Sequence, residues 1–330
     1  MRWIAVMCIG IILGAGATIV VLQKQHAIIS PIVAPIARPL DRYTIPALQK
    51  TVFRPSQIVL DEPTATTSAY TVARFHYFSD GKRVNGVAHI PNAPKPASGY
   101  PVIVQFRGYV DVTRYYPGEG TEHSAEAFAA HGFLSLAPDF LGYGGSDMPS
   151  TDVFEDRFQT YTTALQLLAS IRTVAIADSA RVGIWGHSNG GQIALTVLEA
   201  SSTAYPAVLW APVSKPFPYS ILYYTDEADD HGKLLRKKLA QFESIYDVEL
   251  YSLTNYLDAI KGPVQIHQGE SDDAVPVKWT DDFVKILQDK KITTEYFTYP
   301  GADHNLTPGW EPAMARTIDF FTRQLTEQGR

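Results

Sequence analysis

Short apolar runs alternate with segments of helical periodicity along most of this chain, and that alternation limits the folds it can adopt. Runs such as Pro101–Phe106 and Val264–His267 are typical of buried strands. Strands that alternate with helices form crossover units and predict a mainly parallel sheet flanked by helices. Ahead of them, Tyr70–Tyr77 and Val84–Ile90 predict an antiparallel hairpin at the sheet edge.

The alternation is interrupted over residues 215–258, which are rich in aromatic and charged residues. Much of this stretch has helical periodicity, and it predicts a helical lid inserted over the carboxyl edge of the sheet. We therefore expect a catalytic domain over residues 69–330. Residues 24–68 contain recurrent prolines, which predict a tether leading into that domain.

The N-terminal residues 1–23 predict a membrane anchor or a signal segment. The stretch from Trp3 to Leu22 carries no charge, and at about 1.5 Å per residue it is long enough to cross a bilayer core of about 30 Å. Arg2 favours a cytoplasmic N-terminus, so the catalytic domain is expected outside the cytoplasm. The small residues Ala15–Ala17 leave cleavage and secretion as the alternative.

Composition excludes several classes of function. The net charge of -6 and the absence of a Lys/Arg-rich run argue against a nucleic-acid partner. The chain has one cysteine, Cys8, so disulfides, a cysteine nucleophile and cysteine metal sites are excluded from the predicted catalytic domain. We expect no metal or organic cofactor, and the oligomeric state is left open.

The pentapeptide Gly186-His187-Ser188-Asn189-Gly190 matches the pattern G-x-S-x-G. It follows the predicted strand Arg181–Trp185 and opens the predicted helix Gly190–Ala200. This strand–turn–helix context is that of the nucleophile elbow of α/β-hydrolases, in which the serine oxygen projects from the sheet. The sequence therefore predicts Ser188 as a nucleophile.

A serine nucleophile needs a base, and in this fold the base follows the acid along the chain. His304 stands in the loop after the last predicted strand and is the expected base. His267 precedes the candidate acids, and His231 lies in an acidic stretch of the insertion. We expect neither of these two to be catalytic.

The acid is predicted in the loop after Val264–His267. Asp272 is favoured, with Asp273 as the alternative and Glu270 as a weaker one. The backbone N–H of Asn189 is expected to be one oxyanion donor, and the backbone N–H of Tyr109 the second. An acid of this kind orients the imidazole and stabilises its cationic form.

Four motifs together resemble the catalytic domain of the prolyl oligopeptidase family of serine peptidases and its esterase-like relatives. They are Phe78-Ser-Asp-Gly81, Gly186-His-Ser-Asn-Gly-Gly191, Gly269-Glu-Ser-Asp-Asp-Ala-Val-Pro276 and Gly301-Ala-Asp-His304. The resemblance implies an α/β-hydrolase fold. It also implies that Ser188, Asp272 and His304 form a catalytic triad.

These observations predict a serine hydrolase that acts through an acyl-enzyme, with a prolyl oligopeptidase-like peptidase favoured. The loop Phe106-Arg-Gly-Tyr109 departs from the family's usual glycine-rich loop, so a carboxylesterase acting on small acyl esters is the alternative. Its substrate is thus expected to be a short peptide or a small ester. A non-enzymatic, anchored binding module on the same scaffold is a third and weaker hypothesis.

Overall fold

The computed structural model describes residues 37–201, 203–225 and 228–327, and within these ranges nine strands form one sheet. The strands are β1 (Val59–Thr66), β2 (Tyr70–Ser79), β3 (Lys82–Pro91), β4 (Tyr100–Phe106), β5 (Leu134–Pro138), β6 (Ala177–His187), β7 (Ala207–Trp210), β8 (Val264–Gly269) and β9 (Thr294–Tyr299). Their spatial order is β1-β2-β3-β5-β4-β6-β7-β8-β9. The pairs β1–β2, β2–β3 and β3–β5 are antiparallel. The remaining pairs, from β5–β4 to β8–β9, are parallel. The predicted α/β-hydrolase fold, with its antiparallel hairpin and mainly parallel sheet, is confirmed.

Helices cover both faces of the sheet. They are α1 (Ile45–Lys50), α2 (Glu122–Ala130), α3 (Val153–Ser170), α4 (Asn189–Ala200), α5 (Tyr219–Leu222), α6 (Lys233–Glu243), α7 (Val277–Asp289) and α8 (Trp310–Glu327). On one face α2 and α8 enclose a core around Phe128, Trp185 and Phe321. On the other face α3, α4 and α7 enclose a larger core that includes Phe158 and Phe283. The inner strands β5 and β7 are buried along their whole length, which explains why their sequences are mainly apolar.

Part of the predicted tether belongs to the folded domain. From Pro39 onward the chain packs as one unit, and the side chains of Tyr43 and Leu48 are buried. The prolines do not prevent this packing. Pro46 lies in the first turn of α1, where its missing N–H costs no hydrogen bond, and Pro63 lies at a register shift in the edge strand β1. Residues 39–68 of the predicted tether thus lie in the same compact unit as the rest of the domain.

Between β7 and β8 the chain forms helices α5 and α6 and a series of short 3₁₀ turns between Val248 and Ala259. The inserted stretch is thus helical, as its periodicity indicates. The predicted anchor or signal segment over residues 1–23 lies outside the described residues and stays a prediction. Within the described part of the chain, no helix combines the length and apolar character needed to cross a membrane.

Candidate active site

Ser188 occupies a sharp turn between the end of β6 and the start of α4. Its backbone has φ 57° and ψ −121°, a sparsely populated conformation that costs about 1–3 kcal/mol for a residue with a Cβ. The turn is held by hydrogen bonds in which the Ser188 N–H donates to the Trp210 carbonyl at 2.9 Å and the Val213 N–H donates to the Ser188 carbonyl at 3.0 Å. A Cβ at Gly190 would collide with the carbonyl oxygen of Phe106, so the helix can approach β4 this closely only with glycine there.

Asp272 and His304 lie together at the carboxyl edge of the sheet, where His304 Nδ1 is 2.8 Å from Asp272 Oδ2. The Asp272 side chain is fully buried. Its Oδ1 accepts from the backbone N–H groups of Ala274 and Val275 at 2.9 and 2.8 Å, and its Oδ2 also accepts from Gln268 Nε2 at 2.9 Å.

Burial alone would raise the pKa of Asp272, but hydrogen bonds from His304, the Val275 amide and Gln268 outweigh it and lower the pKa below its ordinary value. The carboxylate is therefore ionised at neutral pH. An ionised acceptor at Nδ1 selects the tautomer of His304 that carries its proton on Nδ1. The other ring nitrogen, Nε2, is then available as a base.

His187, the residue before the nucleophile, connects the serine turn to the histidine loop. Its Nε2–H donates to the carbonyl oxygen of His304 at 2.9 Å, and the two imidazole rings lie 4.8 Å apart. Burial and the neighbouring His304 ring lower the pKa of His187 to about 4, so the imidazole is neutral and donates from Nε2. Ser188 and His304 are thereby held near each other.

The alternative carboxylates lie elsewhere. Asp273 is exposed, and the carboxylate that hydrogen-bonds to His304 is that of Asp272. Glu270 is also exposed, and its Oε1 accepts from Thr298 Oγ1 at 2.8 Å. Of the three candidate acids, Asp272 is thus the one whose carboxylate forms a hydrogen bond with His304.

The other two histidines named from the sequence have different surroundings from those of His304. His267 is fully buried between Tyr299 Oη at 2.7 Å and Gln265 Oε1 at 2.8 Å. Burial, with a smaller effect of the Arg316 charge, lowers the pKa of His267 to about 3, so it is a neutral structural residue. His231 is exposed just before α6.

The loop after β4 passes directly beside the nucleophile. A Cβ placed on Gly108 would lie 3.1 Å from the Cβ of Ser188, so the Gly108 backbone is within close reach of the serine. Arg107 Nη1 donates to the Gly108 carbonyl at 2.9 Å. Because that carbonyl and the N–H of Tyr109 belong to one trans peptide unit, the arginine also fixes where the Tyr109 N–H points.

The guanidinium of Arg107 is itself clamped between two tyrosine rings. Its central carbon lies 4.7 Å from the ring centre of Tyr115 and 4.1 Å from that of Tyr143. Tyr143 Oη in turn donates to the carbonyl of Val110 at 3.0 Å. Arg107 and Tyr143, which pack on each other, thus each donate a hydrogen bond to a carbonyl of the loop. These bonds stabilise the conformation of the loop.

A cavity of about 210 Å³ includes both residues expected to supply oxyanion donors, Tyr109 and Asn189. Arg107 and Tyr143 contribute one part of its lining, and residues of α3, among them Arg157, contribute another. Because Asn189 directly follows Ser188, the cavity extends to the residue after the expected nucleophile.

Four residues of this arrangement were not found by sequence analysis: Arg107, Arg157, His187 and Gln268. His187 and Arg107 lie inside motifs that the sequence analysis names, next to Ser188 and Gly108. The motifs do not predict the contacts that these two side chains make. Gln268 immediately precedes the box that begins at Gly269. No local pattern connects Arg157, which lies on α3, with the serine turn.

Comparisons with known proteins identify a family. The model of the prolyl oligopeptidase family matches residues 121–328. A Schizosaccharomyces pombe protein named as a candidate dipeptidyl aminopeptidase is 27% identical over 232 residues, which are 70% of this chain and 24% of the relative. The chain thus spans about a quarter of the length of that relative.

Solved structures share the fold at low sequence identity. An acetyl xylan esterase from Paenibacillus sp. R4 superimposes with a TM-score of 0.63 and 21% identity, covering 83% of this chain and 91% of the esterase. A puromycin-hydrolysing peptidase from Mycobacterium tuberculosis gives 0.61 and 20%, covering 79% of this chain and 41% of the peptidase. Enzymes named as peptidases and as esterases therefore share this architecture.

Proposed function

Because this chain belongs to the prolyl oligopeptidase family, we propose that it is a peptidase that cleaves short peptides with Ser188 as nucleophile, His304 as base and Asp272 as the acid that orients the base. The broader statement, that the protein is a serine hydrolase of the α/β-hydrolase type, follows from its family and fold. The observation that best supports the proposed roles is the 2.8 Å hydrogen bond between His304 Nδ1 and the buried carboxylate of Asp272, in the loops next to the strained turn at Ser188.

In the proposed reaction, Ser188 Oγ attacks the substrate carbonyl carbon while His304 Nε2 takes the hydroxyl proton. The negative charge that develops on the carbonyl oxygen is stabilised by the N–H groups of Asn189 and Tyr109. The tetrahedral intermediate collapses, and the leaving amine departs with the proton from His304. Water then attacks the acyl-enzyme, gives a proton to His304, and releases the acyl group as a carboxylic acid with Ser188 restored.

A carboxylesterase acting on small acyl esters is the second candidate. The observation in its favour is the size of the cavity beside Tyr109 and Asn189, about 210 Å³, which is below the range usual for drug-sized ligands. The same groups would carry out both reactions, because only the leaving group differs. Turnover of aminoacyl anilides against short-chain aryl esters distinguishes the two substrates.

The proposed triad is tested by labelling the full chain with a fluorophosphonate probe. We expect Ser188→Ala to abolish labelling, and Asp272→Asn and His304→Ala to lower turnover by a factor on the order of 10⁴. Ser271→Ala is the matched control, because Ser271 is exposed and adjacent to Asp272; it should label like the wild type. Undiminished labelling of Ser188→Ala would refute the assignment, and a folded wild type that does not label would support the binding-module hypothesis.

A further inference from the structure

The cavity beside the proposed oxyanion donors contains an arginine that forms no ion pair with a carboxylate of the described residues. Arg157 projects from α3 and lines the same cavity as Tyr109 and Asn189. Asp156 precedes it on α3, and the two charges interact without forming an ion pair. Its Nε is buried and has no hydrogen-bond partner among the described residues. A partly buried guanidinium that is not engaged in an ion pair is suited to bind an anionic group of a ligand.

Arg157 is also held in place before any ligand arrives. Its Nη2 donates to Gln192 Oε1, and Gln192 is buried on α4, the helix that begins just after the nucleophile. Gln192 Nε2 donates in turn to Ser220 Oγ at 3.0 Å. An arginine that a buried amide already holds in place loses less side-chain entropy when it binds a ligand. This arrangement therefore favours ligand binding by Arg157.

Among the described residues, Asp156 is the one carboxylate that lines the cavity with Arg157. The two residues are successive on α3, and side chains at positions i and i+1 of a helix do not face each other. Asp156 is exposed and forms no ion pair with Arg157, although the two charges attract each other. It therefore leaves the guanidinium of Arg157 accessible from the cavity and provides a neighbouring charge for comparison.

We infer that Arg157 is a specificity-determining residue that binds a carboxylate on the acyl part of the substrate. This inference rests on the proposed function, because it places the acyl group in the cavity next to Ser188. Two kinds of substrate carry such a group: half-esters of short dicarboxylic acids, and peptides with an acidic residue immediately before the cleaved bond. The small volume of the cavity, about 210 Å³, suits an acyl chain of this length.

The test compares matched substrates that differ in one charge. The ester arm uses the p-nitrophenyl half-ester of glutaric acid against p-nitrophenyl valerate, and the amide arm uses glutamyl against glutaminyl p-nitroanilide. We expect the wild type to prefer the carboxylate-bearing member in at least one arm, which also identifies the source of the carboxylate. In Arg157→Gln, kcat/KM for that member should fall by about 10–100-fold, as expected for the loss of a charge-assisted hydrogen bond.

The neutral substrates are the internal control for folding and chemistry, and their kcat/KM should change by less than about threefold in Arg157→Gln. Arg157→Lys should recover only part of the preference, because lysine lacks the planar two-pronged donor. Asp156→Asn should keep or increase the preference, since it removes a neighbouring negative charge.

Two outcomes would overturn the inference while leaving the proposed function intact: a wild type that hydrolyses neutral substrates at least as well as charged ones, or an equal loss for both kinds of substrate in Arg157→Gln. A wild type that neither turns over any of the four substrates nor labels with the fluorophosphonate would overturn both.

Discussion

At the scale of single residues, the site depends on backbone groups that other side chains hold in position. The N–H of Tyr109 belongs to the peptide unit whose carbonyl accepts from Arg107 Nη1 at 2.9 Å. A cation at the carbonyl end of a peptide unit increases the positive character of its N–H end, because hydrogen bonds in a chain polarise one another. Arg107 is thus expected to act as a positioning residue for the proposed oxyanion donor.

Replacing Arg107 by methionine should lower kcat by about 10–100-fold with little change in KM, because the N–H of Tyr109 is needed most when charge develops in the transition state. The loss should be smaller than for removal of a donor that itself contacts the oxyanion. Steady-state kinetics on one aryl ester would measure both constants. Affinity for a boronic acid that mimics the tetrahedral intermediate should fall in parallel with kcat.

Arg114→Met is the control for Arg107, because Arg114 is an exposed arginine of the same loop region; it should leave both constants unchanged. A purely structural role for Arg107 would instead lower the melting temperature and the fraction of labelled enzyme while leaving kcat per labelled site intact. That result would contradict the proposed positioning role.

The residues proposed as the triad were accessible from the sequence because each is tied to a local signal. Ser188 stands in a pentapeptide between a strand and a helix, and Asp272 and His304 stand in the loops after the last two strands, which the sequence predicts. The contacts that support them were not accessible. The bond from His187 to the His304 carbonyl joins residues 117 positions apart, and the bond from Arg157 to Gln192 joins residues 35 positions apart.

At the scale of elements, the insertion between β7 and β8 is attached to α3 by an aromatic cluster. Phe242 of α6 is its centre, with ring centres 4.9 Å from Phe154, 5.6 Å from Phe217, 4.8 Å from Tyr246 and 5.1 Å from Tyr251. The sequence indicated an aromatic insertion but could not say where its rings pack, because the partner Phe154 lies far away in the chain. The cluster argues that this part of the insertion is anchored to the domain.

Replacing Phe242 by alanine should therefore destabilise the protein by about 3–5 kcal/mol, the cost of a large cavity in an aromatic core. Leu234→Ala on the same helix is the matched control, because Leu234 is 62% exposed and should change stability by less than about 0.5 kcal/mol. Urea unfolding followed by far-UV circular dichroism measures both. Equal effects of the two substitutions would mean that the packing of Phe242 contributes little to the free energy of unfolding.

The edge strand β1 illustrates the opposite case, an element that the sequence did not reveal. Its residues are mostly exposed and include Pro63, so neither an apolar run nor clean alternation marks them. Pairing with β2 supplies the missing stabilisation, with Val59 opposite His76 and Thr66 opposite Thr71. Such a strand is specified by its neighbour more than by its own sequence, so the prolines of this segment predict a tether where the structure has a strand.

At the scale of the whole molecule, one buried carboxyl group should make stability depend on pH. Glu199, in the last turn of α4, is fully buried, and neither of its carboxylate oxygens has a hydrogen-bond partner among the described residues. Burial raises the pKa of Glu199 well above its ordinary value of 4.5, because the charged form cannot be solvated there. The folded protein therefore holds this proton at pH values where the unfolded chain has released it.

The sign of the effect follows from that difference. Below about pH 4.5 Glu199 is protonated in both the folded and the unfolded state, and its burial destabilises the fold least. As the pH rises toward the raised pKa, Glu199 ionises in the unfolded state only. This lowers the free energy of the unfolded state, so the free energy of unfolding falls by about 1.4 kcal/mol per pH unit. Glu199→Gln removes this group with little change of shape. Its free energy of unfolding should therefore decline less steeply than that of the wild type between about pH 5 and pH 8.

Urea unfolding at several pH values in this range gives the two curves, and Glu243→Gln serves as the control, because Glu243 is exposed at the end of α6. The control should run parallel to the wild type. Parallel curves for wild type and Glu199→Gln would show instead that the folded protein holds Glu199 ionised. In that case water or a positive charge would have to reach the Glu199 carboxylate in the core around α4, because an isolated buried charge is too costly.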